Sequence, residues 1–424
     1  MKIKLQKVIQ RLQKLHKKKI DLSLDRTFNL LKKLGNPQDK LKNVITIVGT
    51  NSKYSIIKIL QSILNQDGYK CNLYTSPHLQ SYTERYVYDD KEIDEDSLAD
   101  LLEEIEKING SDNLSEFEAL TCAYLKYCEQ YKDNVTFMES GLFHAKDSTN
   151  VFKKNLCSII GSINIDHLSW LENKTIEGII HEKTSKLLTS KIFINKQENK
   201  KISLKIKDAL KNNKSEKYFY GENFNYLQAE NSFIQYEDNK GSLILPQPNI
   251  LGEHQLANIS TAIMTSRTIF NVKDESIKRA VISIDLKGRL QEIKSGKLKT
   301  LAKNNHLILD GGHNKNSSTA LAKWMDTLNQ DIHLIIGMMN DKRHNEYLNS
   351  FKGKIKSLTI IDIPNQEGSI PKEKFKLKIQ NEFPDVKLGQ NIQEVIANIG
   401  NETQSSYICC IGSFYLMGEI LNLN

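Results

Sequence analysis

The chain has 424 residues, more than one ordinary hydrophobic core accommodates, and its 39% apolar content is enough to fill two or three. With a mean hydropathy of −0.47 and no apolar run near the roughly 20 residues that span a bilayer, a soluble protein with no membrane partner is expected. A net charge of +8 does not by itself indicate a nucleic-acid partner: only seven of the 59 basic residues are arginines, the type suited to bidentate phosphate and base contacts, and the lysines are spread along the whole chain.

The N-terminal MKIKLQKVIQRLQKLHKKKI is basic and amphipathic. It lacks an apolar core region and a small-residue cleavage site, so it reads as a first helix and not as a secretory signal. VITIVG (44–49) has the pattern of a buried strand, and SIIKILQSILNQDG after it repeats its apolar residues with a helical period. CNLYTS reads as a strand, DSLADLLEEIEKI (96–108) and EFEALTCAYLKYCEQY (116–131) as helices, and NVTFMES, SIIGSIN and SKIFIN as short strands. The Lys- and Asn-rich segment 196–217 suggests an exposed stretch, and 215–250 reads as irregular. A helix is expected over 256–270. Past Gly288 and Arg289 the alternation resumes with strands in HLILDGG (306–312), IHLIIGM, SLTIIDI and SYICCIGS, and with helices in STALAKWMDTL and FYLMGEIL. This alternation argues for parallel sheets covered by helices, with a domain boundary near residue 287. The six cysteines form no C-x-x-C pair, and several lie in apolar runs. Buried thiols in a reducing cytoplasm are the expectation.

The chemistry-bearing residues fall at strand ends. GTNSKYS (49–55) joins the first strand to a helix, where backbone N–H groups and the helix dipole converge on a point suited to phosphate. Lys53 could reach the β- and γ-phosphates and Ser55 a Mg²⁺ ion, although a lone lysine at a helix start is usually a solvated one. Ser76 of YTSPHL and Glu139 of MES end two further strands, at the edge where open α/β sheets bind ligands, and a carboxylate there can bind Mg²⁺. Asp166, His167 and Lys183 follow the next strand. Arg289 lies at the boundary, with Asp310 and His313 on the loop after a later strand. A nucleotide held between two domains would need such a division.

In this order the motifs resemble the folylpolyglutamate synthase/dihydrofolate synthase family of the Mur ligase superfamily, over nearly the whole chain. The resemblance rests on GTNSKYS against GTNGKGS, on YTSPHL, KDSTN, DH…EK, LGEHQxxN and GR, on ILDGGHN against ILDGAHN, and on IGSFYLMGEI. It implies an α/β fold: a P-loop-type Mur ligase central domain with a mostly parallel sheet (1–287), and a smaller Rossmann-like α/β domain (288–424) that ligates glutamate. It implies an ATP-dependent amide ligase that adds L-glutamate to dihydropteroate or to the glutamate tail of reduced folates through an acyl phosphate, working as a monomer on small molecules.

By position, the resemblance assigns Asn51, Ser52, Lys53, Ser55, Asn258, Arg289, Asp310 and His313 to ATP. It assigns Ser76, Glu139 and His167 to metal, with two Mg²⁺ ions expected. Lys183 matches a lysine that is carbamylated in the superfamily; it, His167 and Lys53 are the catalytic candidates. Glu116, Phe117, Asp147, Thr149 and Asn150 match the pterin side. Ser52 and Tyr54 replace glycines of the loop, and Phe143, His144 and Ala145 replace a Gly-Gly-Arg. These departures leave a second reading open, a family member that binds nucleotide or folate without turnover.

Overall fold

The computed structural model describes residues 2–15, 23–166, 168–171, 173–228 and 233–424. The chain divides into two compact units, Met1–Pro248 with Ala257–Ile284, and Asn249–Leu256 with Asp285–Asn424.

The first unit is organised by an eight-stranded sheet. Its strands are β1 (Asn43–Val48), β2 (Cys71–Tyr74), β3 (Tyr86–Tyr88), β4 (Lys91–Glu92), β5 (Val135–Glu139), β6 (Cys157–Ile160), β7 (Lys191–Ile194) and β8 (Glu216–Phe219). They lie in the order β4-β3-β2-β5-β1-β6-β7-β8, with every neighbouring pair parallel except β2–β3 and β3–β4, so that β3 alone runs against the rest. The central strands are continuous apolar runs such as VITIV and CSII, as sheets covered on both faces require. After β1 the chain moves to one side of it, and β6 to β8 lie on the other. The carboxyl end of β1 is therefore a point where strand order reverses, the usual place for a ligand in open α/β sheets.

Register carries the polar residues to that edge. Ile47 of β1 lies beside Glu139 of β5 and Ile159 of β6, and Tyr74 of β2 lies beside Met138. The segments 49–52, 75–78 and 140–150 consequently leave the sheet together. Flanking helices begin with local side-chain caps: Asp94 accepts from the N–H groups of Asp96 and Ser97, and Ser115 and Glu118 form a capping box. A core rich in tyrosine (Tyr74, Tyr86, Tyr88 and Tyr124) fills the space between these helices and the sheet.

The segment read as irregular is more ordered than its sequence suggested. β8 closes the large sheet, and β9 (Phe224–Gln228), β10 (Ile234–Asp238) and β11 (Gly241–Leu245) form a separate antiparallel sheet. Ile234 and Tyr236 on β10 alternate inward, as do Leu243 and Leu245 on β11. The runs are only five residues long, and their outer face mixes Gln235, Glu237 and Ser242 with exposed Leu227 and Ile244, which hid their period. The Lys-rich stretch before them contains a helix, Lys200–Ala209, that buries Ile206 and leaves most of its other side chains at or near the surface.

The second unit holds a six-stranded sheet of β12 (Gln291–Ile293), β13 (His306–Asp310), β14 (Ile332–Ile336), β15 (Ser357–Ile360), β16 (Lys387–Leu388) and β17 (Tyr407–Ile411). The order is β12-β13-β17-β14-β15-β16, with only β12 antiparallel. Leu251, from the short earlier segment of this unit, packs against its core with Leu290, Leu334 and Phe351. Among the described residues no helix is long and apolar enough to cross a membrane, and all six cysteines are free and buried.

A buried ion pair ties the small sheet to its neighbours. Arg267 Nη1 lies 3.2 Å from both carboxylate oxygens of Asp238, and Nη2 lies 2.6 Å from Asp274. Its guanidinium also lies 5.4 Å from the centre of the Tyr236 ring. Replacing Arg267 by methionine strands the buried Asp238 charge. The expected outcome in urea denaturation is a loss of about 3 kcal/mol.

Candidate active site

The loop between β1 and the helix Lys53–Gln66 is drawn tight against β6. The N–H groups of Thr50 and Asn51 both donate to Ser162 O, at 2.9 and 3.1 Å. Thr50 Oγ1 donates to Asn164 O at 3.1 Å and accepts from Asn164 N at 3.0 Å. There is no room for a side chain at Gly161, where a Cβ would lie 2.5 Å from Asn51 O. Ser52 begins the helix in the left-handed region, at φ 72° and ψ −14°. The position where the resemblance has glycine thus keeps a glycine-like backbone while carrying a side chain.

Two lysines meet at one acceptor in this loop. The carbonyl of Gly49 accepts from Lys183 Nζ at 2.8 Å and from Lys53 Nζ at 3.3 Å. Lys53 Nζ also lies 3.6 Å from Glu139 Oε1, and Glu139 Oε2 accepts from the backbone N–H of Ser76 at 3.2 Å. Lys53, Glu139, Ser76 and Lys183 are therefore brought to one locality, with Ser55 buried on the first turn of the helix. Burial, reinforced by the Lys53 charge, lowers Lys183 to about 7. Its amine lies 5.7 Å from the centre of the Phe143 ring.

Among the described residues no group of three or more His, Cys, Asp or Glu side chains gathers that could cage a metal. Glu139 and the hydroxyls of Ser55 and Ser76 are hard oxygen donors. Such a set fits Mg²⁺, which is usually held by one or two carboxylates together with water and substrate phosphate. His167 lies outside the described residues.

Asp147, Thr149 and Asn150 form a closed turn beside this edge. Asp147 accepts from the N–H groups of Leu142 at 2.8 Å and Thr149 at 3.0 Å, and from the Thr149 hydroxyl. Burial raises its pKa, and the Thr149 bonds oppose that rise. The Asn150 N–H donates to Asp147 O at 2.8 Å. Phe117 packs over Gly141, where an added Cβ would come within 2.7 Å of its ring. Glu116 accepts from the Tyr82 hydroxyl at 2.7 Å. Asn258 is buried and held by Asn195, whose amide donates to it at 2.7 Å while accepting from Thr261 at 2.8 Å.

In the second unit, Arg289, Asp310 and His313 are gathered at the ends of β12 and β13. Asp310 accepts from Leu290 N at 3.0 Å and from Gly312 N at 2.9 Å. Burial raises its pKa, and Arg289 is the largest opposing influence.

Sequence reasoning gave no role to several neighbours. Phe143, in the left-handed region at φ 58°, puts its ring near Lys183; the signal was its place in a glycine stretch. His144 is fully buried, with Nδ1 3.0 Å from Ser140 Oγ, and burial lowers it to about 3. Arg85 donates to His78 at 2.9 Å, and both lie against the Tyr82 ring. Asn164 and Phe414 were likewise missed.

A parallel sheet with a tight strand–loop–helix turn, a lysine and a carboxylate at one edge, joined to a second α/β unit, defines the fold of the Mur-type ATP-dependent ligases. Comparison with known proteins agrees. The family model described as "Dihydrofolate synthetase, C-terminal domain" matches residues 292–423. The dihydrofolate synthetase of Saccharomyces cerevisiae is 26% identical over 96% of this chain and 98% of its own length. The dihydrofolate synthase/folylpolyglutamate synthase of Escherichia coli is 29% identical over 78% of this chain and 75% of its own. The structure of "E.coli FolC in complex with DHPP and ADP" superposes with a TM-score of 0.85 at 25% identity, covering 99% of this chain and 97% of that one. The chain is thus similar, over most of its length, to dihydrofolate synthases/folylpolyglutamate synthases.

Two outcomes test this geometry. A left-handed backbone costs a non-glycine residue roughly 1–2 kcal/mol, partly offset in a glycine variant by its looser unfolded chain. Ser52→Gly should be neutral or slightly stabilising in urea denaturation, and Ser52→Val should destabilise by more than about 1 kcal/mol. Lys183 supplies a pH dependence. Its folded pKa, about 7, lies below the ordinary lysine value of 10.5, so between those limits the unfolded chain binds the extra proton and stability rises with pH. Below pH 7 the full cost of burying the ammonium is present. In bicarbonate-free buffer, the stability of the natural protein relative to Lys183→Met should rise from pH 7 to 9 by about 1 kcal/mol per pH unit.

Proposed function

We propose that this protein joins L-glutamate to a pteroate or folate carboxylate at the expense of ATP. The observation that carries the reading is the meeting of Lys53 and Lys183 on the Gly49 carbonyl, next to Glu139, at the carboxyl edge of the parallel sheet. In this reading the acceptor's carboxylate oxygen attacks the γ-phosphorus of ATP, ADP leaves, and an acyl phosphate forms. The uncharged α-amine of glutamate then attacks the acyl carbon. The tetrahedral intermediate collapses to an amide with loss of phosphate, and the amine gives up a proton.

The chain's own groups have distinct parts in this scheme. Lys53 and the N–H groups of the loop, with Asn51, Ser52 and Ser55, hold the triphosphate and offset the charge that builds on it. Arg289, Asp310, His313 and Asn258 hold the nucleotide. Asp147, Thr149, Asn150, Glu116 and Phe117 form the pterin side. Glu139, Ser76 and His167 would hold divalent metal, two Mg²⁺ ions in all, whose chemistry when bound is to neutralise phosphate charge. The low pKa of Lys183 keeps a share of its amine uncharged near neutrality, the form that reacts with CO₂ to give a carbamate. Residues 1–287 serve as the ATP-binding domain and 288–424 as the glutamate-ligase domain. The protein acts as a cytoplasmic monomer, a setting consistent with its buried free thiols.

A binding protein without turnover is the less favoured reading. Two of the altered glycine positions, Ser52 and Phe143, keep left-handed backbones, and Lys53 and Glu139 remain together. The decisive assay is ADP release dependent on glutamate, with dihydropteroate and separately with tetrahydrofolate as acceptor. Turnover with at least one acceptor is expected, falling by more than about 100-fold in Lys53→Ala. A folded protein that binds Mg-ATP and turns over neither acceptor would overturn the proposal.

A further inference from the structure

The second unit contains a stacked arrangement that the assignments above do not use. Arg289 Cζ lies 3.9 Å from the centre of the Phe414 ring, a face-on cation–π distance. His313 meets the same ring in a T-shaped contact, with centroids 6.1 Å apart. Phe414 is itself immobilised from below. A Cβ on Gly311 would lie 2.7 Å from its Cδ1, so the ring rests on the glycine backbone of the β13 loop. It opens the helix Phe414–Leu423, whose start is secured by Ser413 Oγ accepting from Tyr415 N at 3.2 Å.

The backbone of Arg289 is fixed as well. Its neighbours Gly288 and Leu290 both have positive φ, 64° and 49°. Gly311 N donates to Gly288 O at 2.9 Å, and Leu290 N to the Asp310 carboxylate at 3.0 Å. The remaining freedom of Arg289 lies in its long side chain, and the Phe414 ring is the surface on which that side chain is laid. A guanidinium held in place against a ring keeps its planar fork of N–H groups fixed, the geometry that matches a phosphate oxygen pair.

We propose that Phe414 is a positioning residue for the reaction. Its aromatic face holds the Arg289 guanidinium, and a T-shaped contact with the same ring holds His313, in the orientation used to bind the nucleotide. The inference rests on the reading of Arg289 as a nucleotide contact.

The test compares Phe414→Leu, Phe414→Met and Phe414→Tyr with Arg289→Ala and with the double variant Phe414→Leu/Arg289→Ala. The readouts are kcat and the KM for Mg-ATP in glutamate-dependent ADP release, with thermal melting alongside. Loss of the ring in the Leu and Met variants should raise the KM for Mg-ATP about tenfold and leave kcat within about twofold. The Tyr variant should restore the natural KM, and the double variant should be no worse than Arg289→Ala alone. If Arg289→Ala raises the KM but folded Leu or Met variants do not, Phe414 has no positioning role. Additive effects in the double variant would overturn it equally. If Arg289→Ala leaves the KM unchanged, the nucleotide reading of Arg289 fails first, and this inference falls with it.

Discussion

The carbonyl oxygen of Gly49 is the acceptor around which the polar edge of the first unit is arranged. Lys183 reaches it from a helix more than a hundred residues downstream, and Lys53 reaches it from the next turn of its own chain. Two ammonium groups on one carbonyl repel each other in a buried setting, and burial with that repulsion is what lowers Lys183. Glu139 balances Lys53 from the neighbouring strand. The rest of the edge follows from keeping this contact: the loop must stay against β6, Gly161 must stay bare, and β5 must end in register with β1.

The same constraint accounts for the tolerance of unusual residues. Ser52 and Phe143 both stand where the resemblance has glycine, and both retain positive φ. Surrounding contacts can hold a non-glycine residue there at a cost of a few kcal/mol at most. At Ser52 these are the Thr50, Asn51 and Asn164 bonds; at Phe143 they are the packing of its ring among Ile160, Ile179 and Ile180. The backbone path is preserved and the side chains are new, so the loop around Lys183 is more apolar than a glycine-rich one. The second unit solves a similar problem differently, fixing a turn through Asp310 and laying a long cation on an aromatic ring.

Much of the large-scale organisation was legible because it rests on local pattern. Buried parallel strands are written as unbroken apolar runs, and helices as periodic ones, so β1, β5, β6, β13, β14 and β17 stood close to where the sequence placed them. The sheet β9–β11 was not legible, since five-residue strands whose outer face mixes polar residues with exposed Leu227 and Ile244 carry little period. The segment Asn249–Leu256, which joins the second unit, was also invisible, because the packing of Leu251 against a distant core leaves no local trace.

For the candidate site, the sequence by itself determined which chemical groups are available and at which strand ends they lie. Lys53, Glu139, Lys183, Arg289 and Asp310 could be named from motif order, because each is tied to a short segment of recognisable pattern. Only the tertiary structure decided which groups touch. That Lys183 and Lys53 share one carbonyl, that Ser52 is left-handed, and that Phe414 underlies Arg289 depend on strand register and on contacts between segments far apart in the chain. Such contacts are set by how whole elements pack, and no local run of residues encodes them.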